Sequence, residues 1–350
     1  MKTRAQAERA YGAHLNAEPV DNVVVWRNPH FPKELPPDVH GPIIGEVGAR
    51  SKLGLFLTPK ETGYQLFAVK EYAQTRSRVT EARKHHFEDD EGNHYEAIDL
   101  KGMGHVVTGQ WRKGLFVAPI SYDHGWTDLR HLREDRDWAE KLHEKGLRVV
   151  RHIAHIKLNE IIHNGERITV EEAGKKGIPI KDREPAIAVR AFGVRTRTYQ
   201  LNQDGPALNT FNPIPKNEMQ QMLEDARSHV AKELRKKPEH FTMEDYLNWF
   251  AQTLGKNVGK LHALGYVHDN LGHNVTLDAR LVDFNTLRAH GGRMGNETLR
   301  CDILLLTLAR AYLTIQDKEL HTEPAGQLYE RLRQKFKAAY DKENPPTQEN

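Results

Sequence analysis

Residues 261–287 read LHALGYVHDNLGHNVTLDARLVDFNTL. A helical pattern ends at Gly265, and a polar loop carrying His268, Asp269, Asn270 and His273 follows. Asn274 then precedes the apolar run VTL, a turn at DAR intervenes, and LVDF presents Asp283. The two apolar runs read as short buried strands. Asn274 and Asp283 fall on the two arms of this hairpin-like unit, so their side chains can converge. An amide oxygen beside a carboxylate suits Mg²⁺, which prefers hard oxygen ligands and leaves room for phosphate oxygens.

The chain around this stretch is helical from Pro215 onward. KNEMQQMLEDARSHVAKELRKK, TMEDYLNWFAQTLGKNVGKLHALG, NETLRCDILLLTLARAYLTI and AGQLYERLRQKFKAAYD each read as a helix. Thr242 is a good N-cap, Glu244 and Asp245 suit the positive end, and Tyr246, Phe250, Leu254, Val258 and Leu261 form a buried stripe. This gives a helical lobe over residues 215–340, with KENPPTQEN as a frayed tail over 341–350.

Residues 41–214 have a different texture. LGLFL, GYQLFAVKEY, YEAIDLKGMGHVVTG and GLFVAPISYD read as strands bounded by turn residues. TDLRHLREDRDWAEKLHEKG reads as the one main helix, with Leu129, Leu132, Trp138 and Leu142 along one side and Gly146 as its stop. LRVVRHIAHIKL and AIAVRAFGV are further strands flanking NGER, a hairpin turn. Residues 1–40 are expected to be an irregular, extended arm, because NPHFPKELPPDVHGP is rich in proline. The fold class expected is therefore α+β and bilobal, with a β-rich first lobe and a mostly helical second one. Two lobes make a cleft, where small ligands bind.

Bulk properties narrow the function. The chain has 350 residues, a net charge of +3 and a pI near 8.7. That is far from the concentrated excess of a dedicated nucleic-acid binder. The single cysteine, Cys301, excludes an internal disulfide and a zinc site of several thiolates. It suits a reducing cytoplasm, and Cys301 is expected to be buried and inert. The polar start, MKTRAQAERAYGAHLN, does not read as a signal peptide. No apolar run approaches the ~20 residues that cross a bilayer, so no membrane partner is expected. RHIAHI places His152 and His155 on opposite faces of a regular strand, which disfavours zinc. His268 reads as a packing and hydrogen-bonding anchor.

The stretch over residues 261–286 resembles the catalytic loop and metal-binding segment of the protein-kinase-like fold. In that pattern an Asn and the Asp of a D-F-G triplet hold metal, and a first-lobe Lys–carboxylate pair holds phosphate. Here the triplet is Asp283-Phe284-Asn285 and the loop is HDNLGHN, one residue shorter than the kinase pattern. The segments also resemble, in order over roughly residues 41–290, the selenoprotein O family of kinase-like protein adenylyltransferases. The resemblance puts the phosphate-binding lysine at Lys101 in IDLKGMG, ahead of Lys70 in LFAVKEY. It puts the lysine's carboxylate partner at Asp135, with Glu134 adjacent, and phosphate-gripping arginines at Arg190 and Arg197. Asn274 and Asp283 fall at the metal positions. The family's base position, just before the metal Asn, is His273 here, with Asp269 the other candidate. Gly45 and Gly48 in GEVGARSKLG are candidates to cover phosphate, as a weak Gly-rich match.

The resemblance implies ATP with Mg²⁺ or Mn²⁺, a protein acceptor, and transfer of AMP to a hydroxyl. Two alternatives stand beside it: an ordinary phosphotransferase, and an inactive nucleotide-binding scaffold, which the missing base Asp and altered D-F-G favour.

Overall fold

The computed structural model describes residues 12–32, 44–58, 64–69, 78–79, 87–104, 127–163, 165–178, 184–201, 215–291, 294–316 and 323–345. The chain divides into two compact units, one formed by Met1–Arg136 with Arg151–Phe192, the other by Asp137–Val150 with Gly193–Asn350. It is α+β, with a sheet-rich N-terminal region and a helical C-terminal region.

The first unit holds β1 (Gly12–Pro19), β2 (Asn22–Arg27), β3 (Leu55–Leu57), β4 (Tyr64–Val69), β5 (Arg78–Val79), β6 (Phe87–Glu88), β7 (His94–Tyr95), β8 (Ala97–Lys101) and β9 (Thr127–Asp128). After α1 (Leu129–Glu144) come β10 (Arg151–Leu158), β11 (Glu160–His163), β12 (Glu166–Thr169), α2 (Val170–Lys175) and β13 (Pro185–Phe192). Among the described residues one antiparallel sheet runs in the order β2-β10-β13-β8-β5-β4-β1-β3, with β9 also on β13. β6–β7 and β11–β12 are separate small ladders, the second running from Glu160–Thr169 to His163–Glu166, and Asn164 of the expected NGER turn lies outside the described residues. Lys70 and the expected strand GLFVAPISYD lie outside the described residues.

β13 shows why this sheet is stable. All eight of its residues are buried. Ile187, Val189 and Ala191 join the main apolar cluster of the unit, while Ala186 and Ala188 join Leu129 and Leu132 of α1. The period-two alternation therefore feeds two layers, one on each face of the strand.

The reading of residues 1–40 as an irregular arm is corrected here for the described part. β1 and β2 are full members of the sheet, β1 pairing with β3 and β4, and β2 with β10. The prolines of residues 29–42 dominated that reading. NVVVWR just before them carries three valines and a tryptophan, the β-branched and aromatic residues that favour a pleated, half-buried surface.

The second unit holds α3 (Lys216–Glu233), α4 (Met243–Ala263), β14 (Tyr266–His268), β15 (Leu287–Ala289), α5 (Met294–Ile315) and α6 (Glu323–Glu343). Thr242 caps α4 through a reciprocal box with Asp245, as the Thr-x-x-acid spacing predicts. Tyr246, Phe250, Leu254, Val258 and Leu261 are all fully buried. α6 lies against α4 closely enough that a Cβ at Gly255 would meet Phe336 O at 2.3 Å, and one at Gly259 Tyr340 O at 2.7 Å. The expected strands VTL and LVDF are reduced to isolated bridges: Val275 with Leu281, Thr276 with Arg197 and Leu281 with Val149. Among the described residues no helix is long and apolar enough to cross a membrane.

Candidate functional site

In the first unit the strand register gathers charged groups on one face. In an antiparallel pair, directly opposed residues point to the same side. Arg190 opposes Asp99 on β8, Ala188 opposes Lys101, and Ala188 faces the layer of α1. Lys101, Asp99 and Arg190 therefore share the face that α1 covers, and α1 brings Asp135 onto them. Lys101 Nζ stands 3.8 Å from Asp135 Oδ2, with side-chain exposures of 18% and 3%. Gly102 lets β8 end immediately after the lysine: its φ is +107°, and a Cβ there would sit 2.3 Å from Ala186 O.

Two residues expected here pair with other groups. Arg190 is buried, and its Nε and NH2 both donate to Asp99 Oδ2, at 3.0 and 2.5 Å. Its guanidinium is thus engaged in a buried ion pair with Asp99. Glu134 points to solvent, 4.0 Å from Arg130 one turn back, so the helix offers Asp135 alone to the lysine. Gly45 and Gly48 form a turn tied to β2. Gly48 N donates to Val24 O and Ala49 N to Glu46 O, so these backbone donors are spent within the protein rather than on phosphate.

The register also corrects His152 and His155. β10 slips by one residue between His152 and Ala154 in its pairing with β13, so His152 opposes Arg190 and His155 opposes Ala188. A bulge of this kind inverts the alternation beyond it. Both histidines consequently face α1, with His152 Nδ1 2.9 Å from His155 Nε2.

In the second unit Asn274 and Asp283 do converge. Arg197 donates through NH1 to Asn274 Oδ1 at 2.5 Å and to His273 O at 2.9 Å, and through NH2 to Asp283 Oδ2 at 2.8 Å. One guanidinium therefore bonds an oxygen of each residue. Arg197 is fixed in turn by an antiparallel bridge to Thr276. Asp283 adopts φ +60°, a left-handed conformation that Asp tolerates better than most residues. The donor set, one amide and one carboxylate oxygen, is of the kind a hard divalent ion takes, and both oxygens are bonded to Arg197.

The loop ahead of Asn274 hangs on His268, as expected. His268 Nε2 donates to Val282 O at 2.8 Å, and its Nδ1 accepts from Thr286 Oγ1 at 3.0 Å. His273 is half-buried, its ring 4.9 Å from that of Tyr199. Burial, with Arg197 and Arg300 adding to it, holds its pKa below the usual histidine value. Asp269 is half-buried, and its Oδ2 lies 3.8 Å from Arg288 Nε.

Beneath the hairpin lies an ionic network that the sequence does not advertise, since its members are spread over residues 148–280. Asp278 accepts from Arg280 Nε at 2.7 Å and from Arg148 NH2 at 3.3 Å, and both arginines also pair with Glu233. Asn257 closes it, accepting from Arg148 N at 2.8 Å and donating to Ala279 O at 2.9 Å. Burial pushes the Asp278 carboxyl up, but Arg280 and Arg148 outweigh it and hold the pKa at about 2. A folded-state pKa below the ordinary 3.8 means that this stabilisation is whole above that pH and lost as pH falls towards 2. The loss expected is about 2 kcal/mol. Urea unfolding at a series of pH values checks this: Asp278→Asn should be less stable at neutral pH and show a shallower acid slope. Equal slopes for the two proteins would count against it.

Two other groups place ligand-type atoms within 4.8 Å of one another: exposed His30, Asp90 and Glu91, and His229, Glu233 and Asp278. The second belongs to the arginine-neutralised network just described. Cys301 is buried, and burial drives its thiol pKa well up.

No protein-family model matches the chain, and no curated protein matches it significantly.

Proposed function

We propose that the chain has a kinase-like fold of the selenoprotein O type, binds ATP with Mg²⁺ or Mn²⁺, and transfers AMP to protein hydroxyl groups. The observation that carries this reading is that one guanidinium, Arg197, bonds both Asn274 Oδ1 and Asp283 Oδ2, the residues to which the resemblance assigns the metal. The contact of Lys101 with Asp135 supports it independently. Asn274 and Asp283 would hold the ion, whose charge offsets that of the phosphates and of the departing pyrophosphate. Lys101 contributes a point charge to the phosphates, and Asp135 orients it. Arg197 would bind phosphate oxygens in place of the two side-chain oxygens it now bonds.

In the reaction an acceptor hydroxyl oxygen bonds to the α-phosphorus and the bond to pyrophosphate breaks. The hydroxyl proton passes to His273, or to Asp269. The depressed pKa keeps His273 neutral at pH 7 and so able to accept it.

ATP labelled on the α- or the γ-phosphate, incubated with the chain and a protein acceptor, tests the reading. Retention of the α-label supports AMP transfer, and retention of the γ-label supports a phosphotransferase instead. The rate should hold at neutral pH and fall only below the ordinary histidine pKa, and His273→Asn should abolish that acid limb if the imidazole is the base. A scaffold without turnover is the second reading, favoured by Arg197 already occupying both oxygens. It predicts thermal stabilisation by ATP and metal with neither label transferred.

A further inference from the structure

We propose that His152 and His155 form a buried relay that positions Asp135 against Lys101. This deepens the reading above and rests on it for the role of the lysine. His152 Nε2 lies 3.3 Å from Asp135 Oδ2, a close ion-pair contact that is not aligned as a hydrogen bond, and the same oxygen faces Lys101 Nζ at 3.8 Å. On its other side His152 Nδ1 meets His155 Nε2 at 2.9 Å. Asp135, His152 and His155 are 2%, 1% and 0% exposed.

The proton count along this line has one solution for neutral rings. A carboxylate only accepts, so His152 carries its proton on Nε2 and offers a lone pair at Nδ1. His155 must then donate from Nε2, which leaves its Nδ1 as a bare lone pair. That atom is buried and has no hydrogen-bond partner among the described residues. A lone pair is what the count requires there, whereas an unpartnered N–H would be left with no acceptor. Burial lowers the pKa of both rings, consistent with neutral imidazoles. Trp26 closes the far end, its ring 5.0 Å from His155, and Arg136 lies over the indole at 4.7 Å.

The relay holds the tautomer of His152, and so turns an N–H toward one oxygen of Asp135 from 3.3 Å. The helix residue cannot rotate away without stranding a buried N–H. Lys101 thereby meets a carboxylate of fixed orientation. Groups that orient a ligating side chain in this way typically change affinity by about ten- to a hundredfold when removed.

The test compares ATP affinity, by calorimetry with Mg²⁺, for the wild type, K101M, H152F, H152Q and K101M/H152F, each checked for folding by urea unfolding. H152F, which keeps the ring volume and removes the donor, should weaken ATP binding about tenfold. H152Q, whose amide can donate to Asp135, should recover most of it. Adding H152F to K101M should have no further effect, because the histidine acts through the lysine. A folded H152F that binds ATP like the wild type, while K101M does not, overturns the relay and leaves the proposed function standing. If the wild type itself binds no ATP, the proposed function fails. The ¹⁵N imidazole spectrum of the wild type then decides the relay alone: both rings neutral with protons on Nε2 supports it, and a proton on Nδ1 of His152 overturns it. The same spectrum decides the matter if H152F does not fold.

Discussion

Replacing Arg190 by methionine is expected to destabilise the first unit by roughly 3–5 kcal/mol. Methionine fills much the same length and keeps the contacts of the aliphatic stem. What it removes is the pair of donors that Arg190 directs at Asp99 Oδ2, a carboxylate that is 0% exposed. A buried charge that loses its partner keeps its desolvation penalty, and this penalty rather than the lost bond sets the size of the effect. Urea unfolding followed by far-ultraviolet circular dichroism measures it. Adding Asp99→Leu to the methionine variant should return much of the loss, because two apolar groups then replace the pair. If Arg190 instead served a phosphate, the single variant would keep its stability and lose only affinity for nucleotide.

The second large effect concerns the hairpin. Asp283→Asn is expected to lower AMP transfer at least about a hundredfold. The substitution preserves size, and an amide oxygen can still accept from Arg197. It removes the charge that a divalent ion requires. Because Arg197 also holds Asn274 and the His273 carbonyl, the loop should stay in place. The melting temperature without nucleotide should therefore move little, while stabilisation by ATP and metal should disappear. Transfer within about threefold of the wild-type rate would remove Asp283 from the metal role.

The elements that proved readable from sequence alone are those specified by nearby residues. The cap and stripe of α4 lie within one stretch: Thr242, Asp245 and a buried face at helical spacing. The meeting of Asn274 with Asp283 follows from a turn between two short runs. Lys101 and Asp135 are farther apart, and the helical phase of α1 distinguishes Asp135 from Glu134 only once Leu129 and Leu132 are known to face the sheet. What could not be read depends on partners remote in sequence. Arg190 looks like a free cation until β8 is aligned beside β13 and Asp99 appears opposite it. The turn at Gly45 and Gly48 looks open until Val24 is placed beside it. β1 and β2 were obscured by proline-rich sequence that follows them, although the valines of NVVVWR carried the signal.

The single extra residue in β10 bears on how kin of this chain should be sought. Between His152 and Ala154 the strand gains Ile153, which is buried in the apolar cluster on the opposite side. A descendant that had lost Ile153 would have an unbroken ladder and still point both imidazoles at Asp135. Its histidines would then be separated by one residue instead of two. Searches keyed to fixed letter spacing would pass over such a homologue, whereas a comparison by which side of the strand each ring occupies would recover it.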